Sequence, residues 1–318
     1  MTAPLNLPVG KATREAYGDA LLELGKVNKD VVAIDADLAK STFSWTFGKV
    51  FPERFFNIGI QEANMIGVAS GLASCGKIPF VSSFAAFVLC KGFDQLRMGA
   101  AYPHLNMKVA GSHGGISIGE DGASQQSVED VALACALPGF IVCIPSDEHT
   151  MRAAVHAAAT HNGPVYLRLG RPKAPIIHSA DVKFAFGKAL QLRDGKSLTI
   201  VANGLLVAQA LLAAADLSAR GIEARVLDMH TIKPIDADAL ARAAKETGAI
   251  VVAEEHMHSG GLGAAVSQSL AATTPCPVEF VDLGDRYAES GKPDDLMKKY
   301  GMLAANITAA ADKVLKRK

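Results

Sequence analysis

"NIGIQEANMIGVASGLAS", residues 57–74, joins the end of a short strand-like segment to a helix of Ala, Gly, Met and Val. One acid, Glu62, stands at the junction among Ile58, Ile60, Ala63, Met65 and Ile66. An acid at a helix start is ordinarily an exposed charge that the helix dipole favours. The aliphatic neighbours leave a second reading open, in which the carboxyl group is kept from water for a purpose. Periodicity alone does not choose between them. The same strand-to-helix unit recurs on both sides of the segment, and that recurrence sets the fold class.

Upstream and downstream, "DVVAID" (30–35), "IPFVSS" (78–83), "NMKVAGS" (106–112), "FIVCIPS" (140–146) and "PVYLRLG" (164–170) read as buried strands. Between them "TREAYGDALLELGKV", "EANMIGVASGLASCG", "AFVLCKGFDQLRMGAA" and "DEHTMRAAVHAAATH" carry the 3.6-residue period of helices. Such alternation predicts a mostly parallel sheet with helices on both faces. Residues 173–186 break the rhythm with prolines and mixed polarity, as a linker does. The rhythm then resumes in "SLTIVANG", "EARVLDMH", "GAIVVAEE" and "VEFVDLG". The expectation is an α/β protein of two doubly wound domains. The first, 1–172, has a mostly parallel sheet, and the second, 187–318, is smaller with a mixed sheet.

A chain of 318 residues is long enough for two such domains. Hydrophobic residues make up 49% and charged ones 20%, a soluble globular profile. Lys+Arg and Asp+Glu balance at 32 each, so no overall field draws the chain to nucleic acid or an anionic membrane. There is no secretory pattern at the start and no apolar run of about 18 residues. The five cysteines are scattered with no C-x-x-C pair, which predicts reduced, buried thiols and a cytoplasmic protein.

In open α/β sheets ligands sit beyond the carboxyl ends of the strands. That rule selects Asp35, Asp37, Ser83, Phe84, His113, Arg168 and Arg171. "GSHGGISIGEDGASQQSVED" (111–130) is a long glycine-rich loop with one histidine, acids and two glutamines, which suits a polyhydroxylated ligand. It ends in a capping-box-like helix start at Ser127 and Asp130. "SSFAAF" (82–87) sets Phe84 and Phe87 one helical turn apart, either as core or as a face for a flat heterocycle. "HSGGLGAAV" (258–266) lacks a full dinucleotide fingerprint, and its glycines fit close helix–strand packing.

Taken in order, these motifs resemble the C-terminal half of a transketolase over essentially the whole chain. "GIQEANMIGVASGLA" is similar to the family segment whose glutamate touches the aminopyrimidine of thiamine diphosphate, and "PFVSSFAAFVLCKGFDQLRMGAA" to the aromatic segment that stacks that ring. "HGGISIGEDGASQQSVED" resembles the family's His…GEDGxTHQ loop, and "GPVYLRLGRP" the strand ending in a phosphate-binding arginine. "KATREAYGDAL" and "DADLAKS" resemble the opening helix and the first ligand loop. The resemblance implies a catalytic Glu62 that supplies a proton to the pyrimidine, with Phe84, Phe87, Asp37 and Ile60 as cofactor contacts. It implies that Arg14, Ser41, His113 and Arg171 surround the sugar phosphate and that Asp121 meets a sugar hydroxyl. The family's GDG motif for the diphosphate and Mg²⁺ is missing. The resemblance is therefore to one subunit of a split transketolase, whose N-terminal-half partner carries that motif, assembling as α2β2. Two positions depart from the pattern. Gln125 stands where the family usually has His, and Cys90 where it usually offers a third ring. Rival readings within thiamine enzymes are the beta subunit of a 2-oxoacid dehydrogenase and a deoxyxylulose phosphate synthase-like enzyme. Outside them stands a non-catalytic dinucleotide-binding α/β protein.

Overall fold

Apolar runs without alternation become strands covered on both faces, and here β2 (Val31–Asp35) and β5 (Lys108–Ser112) are buried at every position. A computed structural model describes residues 6–318. The remaining strands are β1 (Val9–Ala12), β3 (Phe55–Asn57), β4 (Ile78–Phe84), β6 (Ile141–Cys143), β7 (Val165–Arg168) and β8 (Lys173–Pro175) in the first part. The second part adds β9 (Leu190–Arg193), β10 (Leu198–Ala202), β11 (Ala224–Asp228), β12 (Thr231–Lys233), β13 (Ile250–Ala253) and β14 (Val278–Val281).

The larger sheet runs β12-β6-β7-β5-β4-β2-β3, parallel throughout except for the antiparallel β12. The smaller sheet runs β14-β13-β10-β11-β9, parallel except for β9. Both match the expected class. From β2 the chain passes to β3 on one side and to β4 on the other. A crevice therefore opens at the carboxyl ends of β2 and β4, where ligands bind in such sheets.

Helix Thr13–Val27 covers one face of the larger sheet, packing Tyr17, Leu21 and Leu24 with Met151, Val155 and Ala158 of helix Glu148–Thr160. Each large side chain so buried contributes about 1.5–3 kcal/mol. The buried Tyr17 hydroxyl is satisfied by Ser82 Oγ at 2.8 Å. Helix Glu148–Thr160 begins with a capping box in which Asp147 accepts from Thr150 N at 2.9 Å.

The stretch expected as a linker is strapped down. β8 pairs with β1, Asp147 Oδ2 accepts the amides of Ile177 and His178 at 2.8 and 2.7 Å, and Phe184 stacks on His230 at 4.2 Å. His178 Nε2 lies 2.9 Å from Asp228 Oδ2, which also accepts Ser146 Oγ at 2.7 Å. The two parts interlock further through β12, which follows β11 in the chain yet joins the larger sheet. Next to it, Lys233 Nζ donates to the carbonyls of Cys135 and Leu137 at the end of helix Asp130–Ala136.

Two local expectations change. The helix after the glycine-rich loop starts at Asp130, not at a Ser127 cap. Ser127 Oγ has no partner, while Asp130 is drawn into the core by Arg168, whose Nε and Nη2 grip both its oxygens at 2.9 and 3.0 Å. Two charge-assisted bonds to Arg168 fix Asp130, and the buried Ser127 hydroxyl is left without a capping role. The cysteines are all free, but Cys75 and Cys90 are exposed and only Cys143 is fully buried. "HSGGLG" does pack closely, because a Cβ at Gly261 would come within 2.3 Å of the Glu254 carboxylate that accepts the amides of Leu262 and Gly263. Among the described residues no helix is long and apolar enough to cross a membrane.

Candidate active site

β4 delivers Ser82, Ser83 and Phe84 to the crevice, and the chain turns directly into helix Ala85–Leu96. Phe84 and Phe87 consequently lie one turn apart with parallel rings, 5.5 Å between centroids at 23°. Helix Glu62–Ser74 packs against this helix at Gly92, where a Cβ would stand 2.2 Å from Ile66 Cδ1. That close approach sinks Glu62, only 3% exposed, beside the rings. Ser83 Oγ donates to Glu62 Oε1 at 3.3 Å, and Lys91 Nζ lies 3.5 Å from Oε2 and 4.3 Å above the Phe87 ring. Glu62 is thus not an exposed helix-start charge. Met65 and Ile66 are buried around it, whereas Ile60 is 70% exposed at the crevice mouth.

At the end of β2, Asp35 organises the next loop. It accepts Leu38 N at 2.6 Å, Thr42 Oγ1 at 2.8 Å and Ser44 Oγ at 2.9 Å, and burial pushes its carboxyl up to about 6. The loop carries Asp37 at φ 67°, tied through reciprocal 3.0 Å bonds to Asn57 at the end of β3. Ser41 offers its carbonyl to Arg14 Nη1 at 2.9 Å. At the end of β5, His113 sits at φ 62°. Strained backbone of this kind persists where the surroundings over-determine it, often at functional sites.

The His113 ring lies flat on Phe84, centroids 3.8 Å apart. Arg14 Nη1 points at its Nε2 across 3.4 Å, and its Nδ1 is 2.8 Å from Ser112 Oγ. A guanidinium only donates, so Nε2 carries the lone pair and Nδ1–H donates to Ser112. Burial, then the charges of Arg14 and Arg171, depress His113 to about 3. The imidazole is therefore neutral. Burial and the nearby Arg171 likewise lower Arg14, whose buried Nε has no partner. Arg171 donates to the Ile118 carbonyl and to Glu120 Oε2, the latter at 3.0 Å. Two guanidiniums, one with an orphaned donor, form a cradle suited to an anion.

Arg14, Ser41, His113 and Arg171 converge, and His113 joins them to Phe84, Phe87 and Glu62. The row Arg14–His113–Phe84–Phe87–Lys91 is a stack of three rings with a cation at each end. Asp121 and Gln125 lie on the outer turn of the glycine-rich loop, where Ser124 Oγ donates to Gln125 Oε1. Its neighbour Gln126 turns inward and donates to the Glu289 carbonyl at 3.0 Å, pinning the loop to the second domain. Arg168, selected by its place on β7, commits its guanidinium to Asp130 and to the carbonyls of Ser127 and Glu255. Sequence reasoning missed Lys91, Asn57 and Gln126, none of which carried a signal, whereas Ser83 had been selected by its place at a strand end and meets Glu62. Among the described residues no group of three or more His, Cys, Asp or Glu side chains is placed to hold a metal ion.

The family model of the transketolase pyrimidine-binding domain matches residues 10–176, and that of the transketolase C-terminal domain matches residues 187–307. This chain belongs to the transketolase family. It is 43% identical over 305 residues to the 6-deoxy-6-sulfo-D-fructose transketolase subunit of a Clostridium species, covering 96% of this chain and 95% of that one. It is 37% identical over 307 residues to one chain of the apulose-4-phosphate transketolase of Phocaeicola vulgatus, covering 96% and 98% respectively. A solved split-gene transketolase, an inactive β4 tetramer, superposes with a TM-score of 0.92 at 49% identity, covering 97% of this chain and all of that one. This transketolase chain thus corresponds to the C-terminal half of the family, made as a separate subunit. Membership implies thiamine diphosphate as cofactor, a partner subunit supplying the N-terminal half, and an oligomeric enzyme.

Proposed function

We propose that this chain completes a split transketolase that moves a two-carbon ketol unit between sugar phosphates. The partner subunit carries the GDG motif and holds the diphosphate and Mg²⁺, in an α2β2 assembly in the cytoplasm. Residues 1–172 form the pyrimidine-binding domain and 187–318 the C-terminal domain. One observation carries the reading: a buried acid and a two-arginine anion cradle lie at opposite ends of one ring stack.

The residues present fit thiamine diphosphate. A buried carboxylate and a half-buried Phe87 face would hold its aminopyrimidine, with Phe84 behind and Ile60 and Asp37 at the exposed rim. Bound there, the cofactor supplies a nucleophilic carbon for breaking and making bonds next to a carbonyl. Glu62 holds and shares a proton at its carboxylate oxygens, oriented by the Ser83 hydroxyl. The aliphatic walls exclude water, which strengthens that hydrogen bond. Arg14 and Arg171 bind the terminal anion of the sugar, Arg14 with its unpartnered Nε. His113 serves as a neutral acceptor that orients Arg14. Asp121 and Gln125, at the mouth, meet sugar hydroxyls, and Gln125 does so without shuttling a proton.

The test is co-expression with the partner and an assay of ketol transfer over phosphorylated, sulfonated and neutral acceptors. Transfer to anionic acceptors only when both subunits are present is expected. Oxidative decarboxylation of a 2-oxoacid onto a lipoyl group, with no ketol transfer, would replace this reading by the dehydrogenase one.

A further inference from the structure

The geometry points to Lys91 as a placeholder for the cofactor's pyrimidine. In this chain its ammonium occupies both partners that the ring requires, the Glu62 carboxylate and the face of Phe87. The inference rests on the thiamine diphosphate reading above. Lys91 is 51% exposed while Glu62 is almost wholly enclosed, so the ammonium reaches down from the crevice mouth to the acid. Its distances, 3.5 Å to Oε2 and 4.3 Å to the ring centroid, cannot be kept if a flat heterocycle enters between. A buried carboxylate left unpaired is strongly unfavourable. Lys91 satisfies it until the ring arrives, and a long, flexible side chain at the mouth can swing into water without moving the helix. Lys91 is accordingly a positioning residue. It keeps the acid paired and the crevice ordered, at the cost of competing with the cofactor.

Two measurements test this. The first is a double-mutant cycle on the full chain at fixed concentration, combining Lys91→Met with Glu62→Gln. Lys91→Met is expected to lower the unfolding midpoint by about 2–6 °C in the native background and by under about 1 °C in the Glu62→Gln background. Equal losses in both backgrounds would overturn the pairing. The second is calorimetric titration of thiamine diphosphate with Mg²⁺ into the assembled subunit pair, a readout independent of turnover. Removing the competitor should tighten Kd by about 2- to 5-fold. Weaker binding would make Lys91 an ordinary cofactor contact and overturn the exchange. A failure of every assembly, native included, to bind the cofactor would overturn the thiamine reading instead, whatever the cycle gives.

Discussion

Glu62→Gln preserves the side-chain volume and the Ser83 contact while removing the acid. In the assembled enzyme kcat should fall by about 10² to 10⁴, the range for losing a general acid–base group. Assembly, followed by size-exclusion chromatography, should survive. Arg171→Ala should raise KM for an anionic acceptor by about 10- to 1000-fold with little change for neutral ones. Equal losses on both would remove Arg171 from the cradle. His113 gives a pH prediction. Because it is depressed to about 3, anion binding should show no inflection between pH 5 and 8 that His113→Asn abolishes. Folding gains the complementary dependence. The folded state binds fewer protons than the unfolded one between about 3 and 6.5, so this contribution is intact above 6.5 and is lost as the pH falls below it. At this scale strand ends drew attention to Phe84, His113 and Arg171, Glu62 stood out by its aliphatic neighbours at a helix start, Phe87 by its spacing from Phe84, and Arg14 only through the family resemblance. The sequence hid Lys91, since an ammonium on a helix reads as a solvated charge until the acid beside it is located.

Among the elements, β5 leads into His113 but begins in Lys108, a fully buried amine. Its Nζ donates to the carbonyls of His161 and Gly163 at 2.8 and 2.6 Å, and burial without a counter-charge lowers it to about 7. The unfolded amine titrates near 10.5, so the folded state binds fewer protons between these values. Stability should rise with pH from about 7 to 10, by at most about 1.4 kcal/mol per pH unit. Lys108→Met should flatten that limb in denaturant titrations run across the range. A rise that persists unchanged would assign it elsewhere. Strand and helix identities were legible because β-branched runs and 3.6-residue periods are strong local signals. The glycine-rich loop stood out by its composition, but its shape did not. Its path depends on side chains far along the chain, such as Arg168, which would clash within 2.3 Å with a Cβ at Gly114.

For the whole molecule, the absence of the GDG motif bears on what this chain does by itself. Titrated alone with thiamine diphosphate and Mg²⁺, it should show no micromolar binding, since a diphosphate without its ligands is costly to hold. Tight Mg²⁺-dependent binding would argue against a divided site. The interlock of its two parts escaped the sequence, because "TIK" (231–233) carries nothing to say which sheet it joins. That pairing limits how far the chain can be shortened. Cut after residue 186, the pyrimidine-binding part would retain Glu62 and its whole ring stack. It would lose the β12 cover on β6 and the lysine that caps helix Asp130–Ala136. A bare parallel edge invites pairing with other chains. Such a fragment should aggregate on light scattering where the full chain does not, and an added peptide spanning 229–236 should restore little, since three residues of strand bind weakly outside their own chain. A chain shortened to the part that bears the acid thus leaves its own sheet unfinished, because the strand that closes it comes from the other side of the cut.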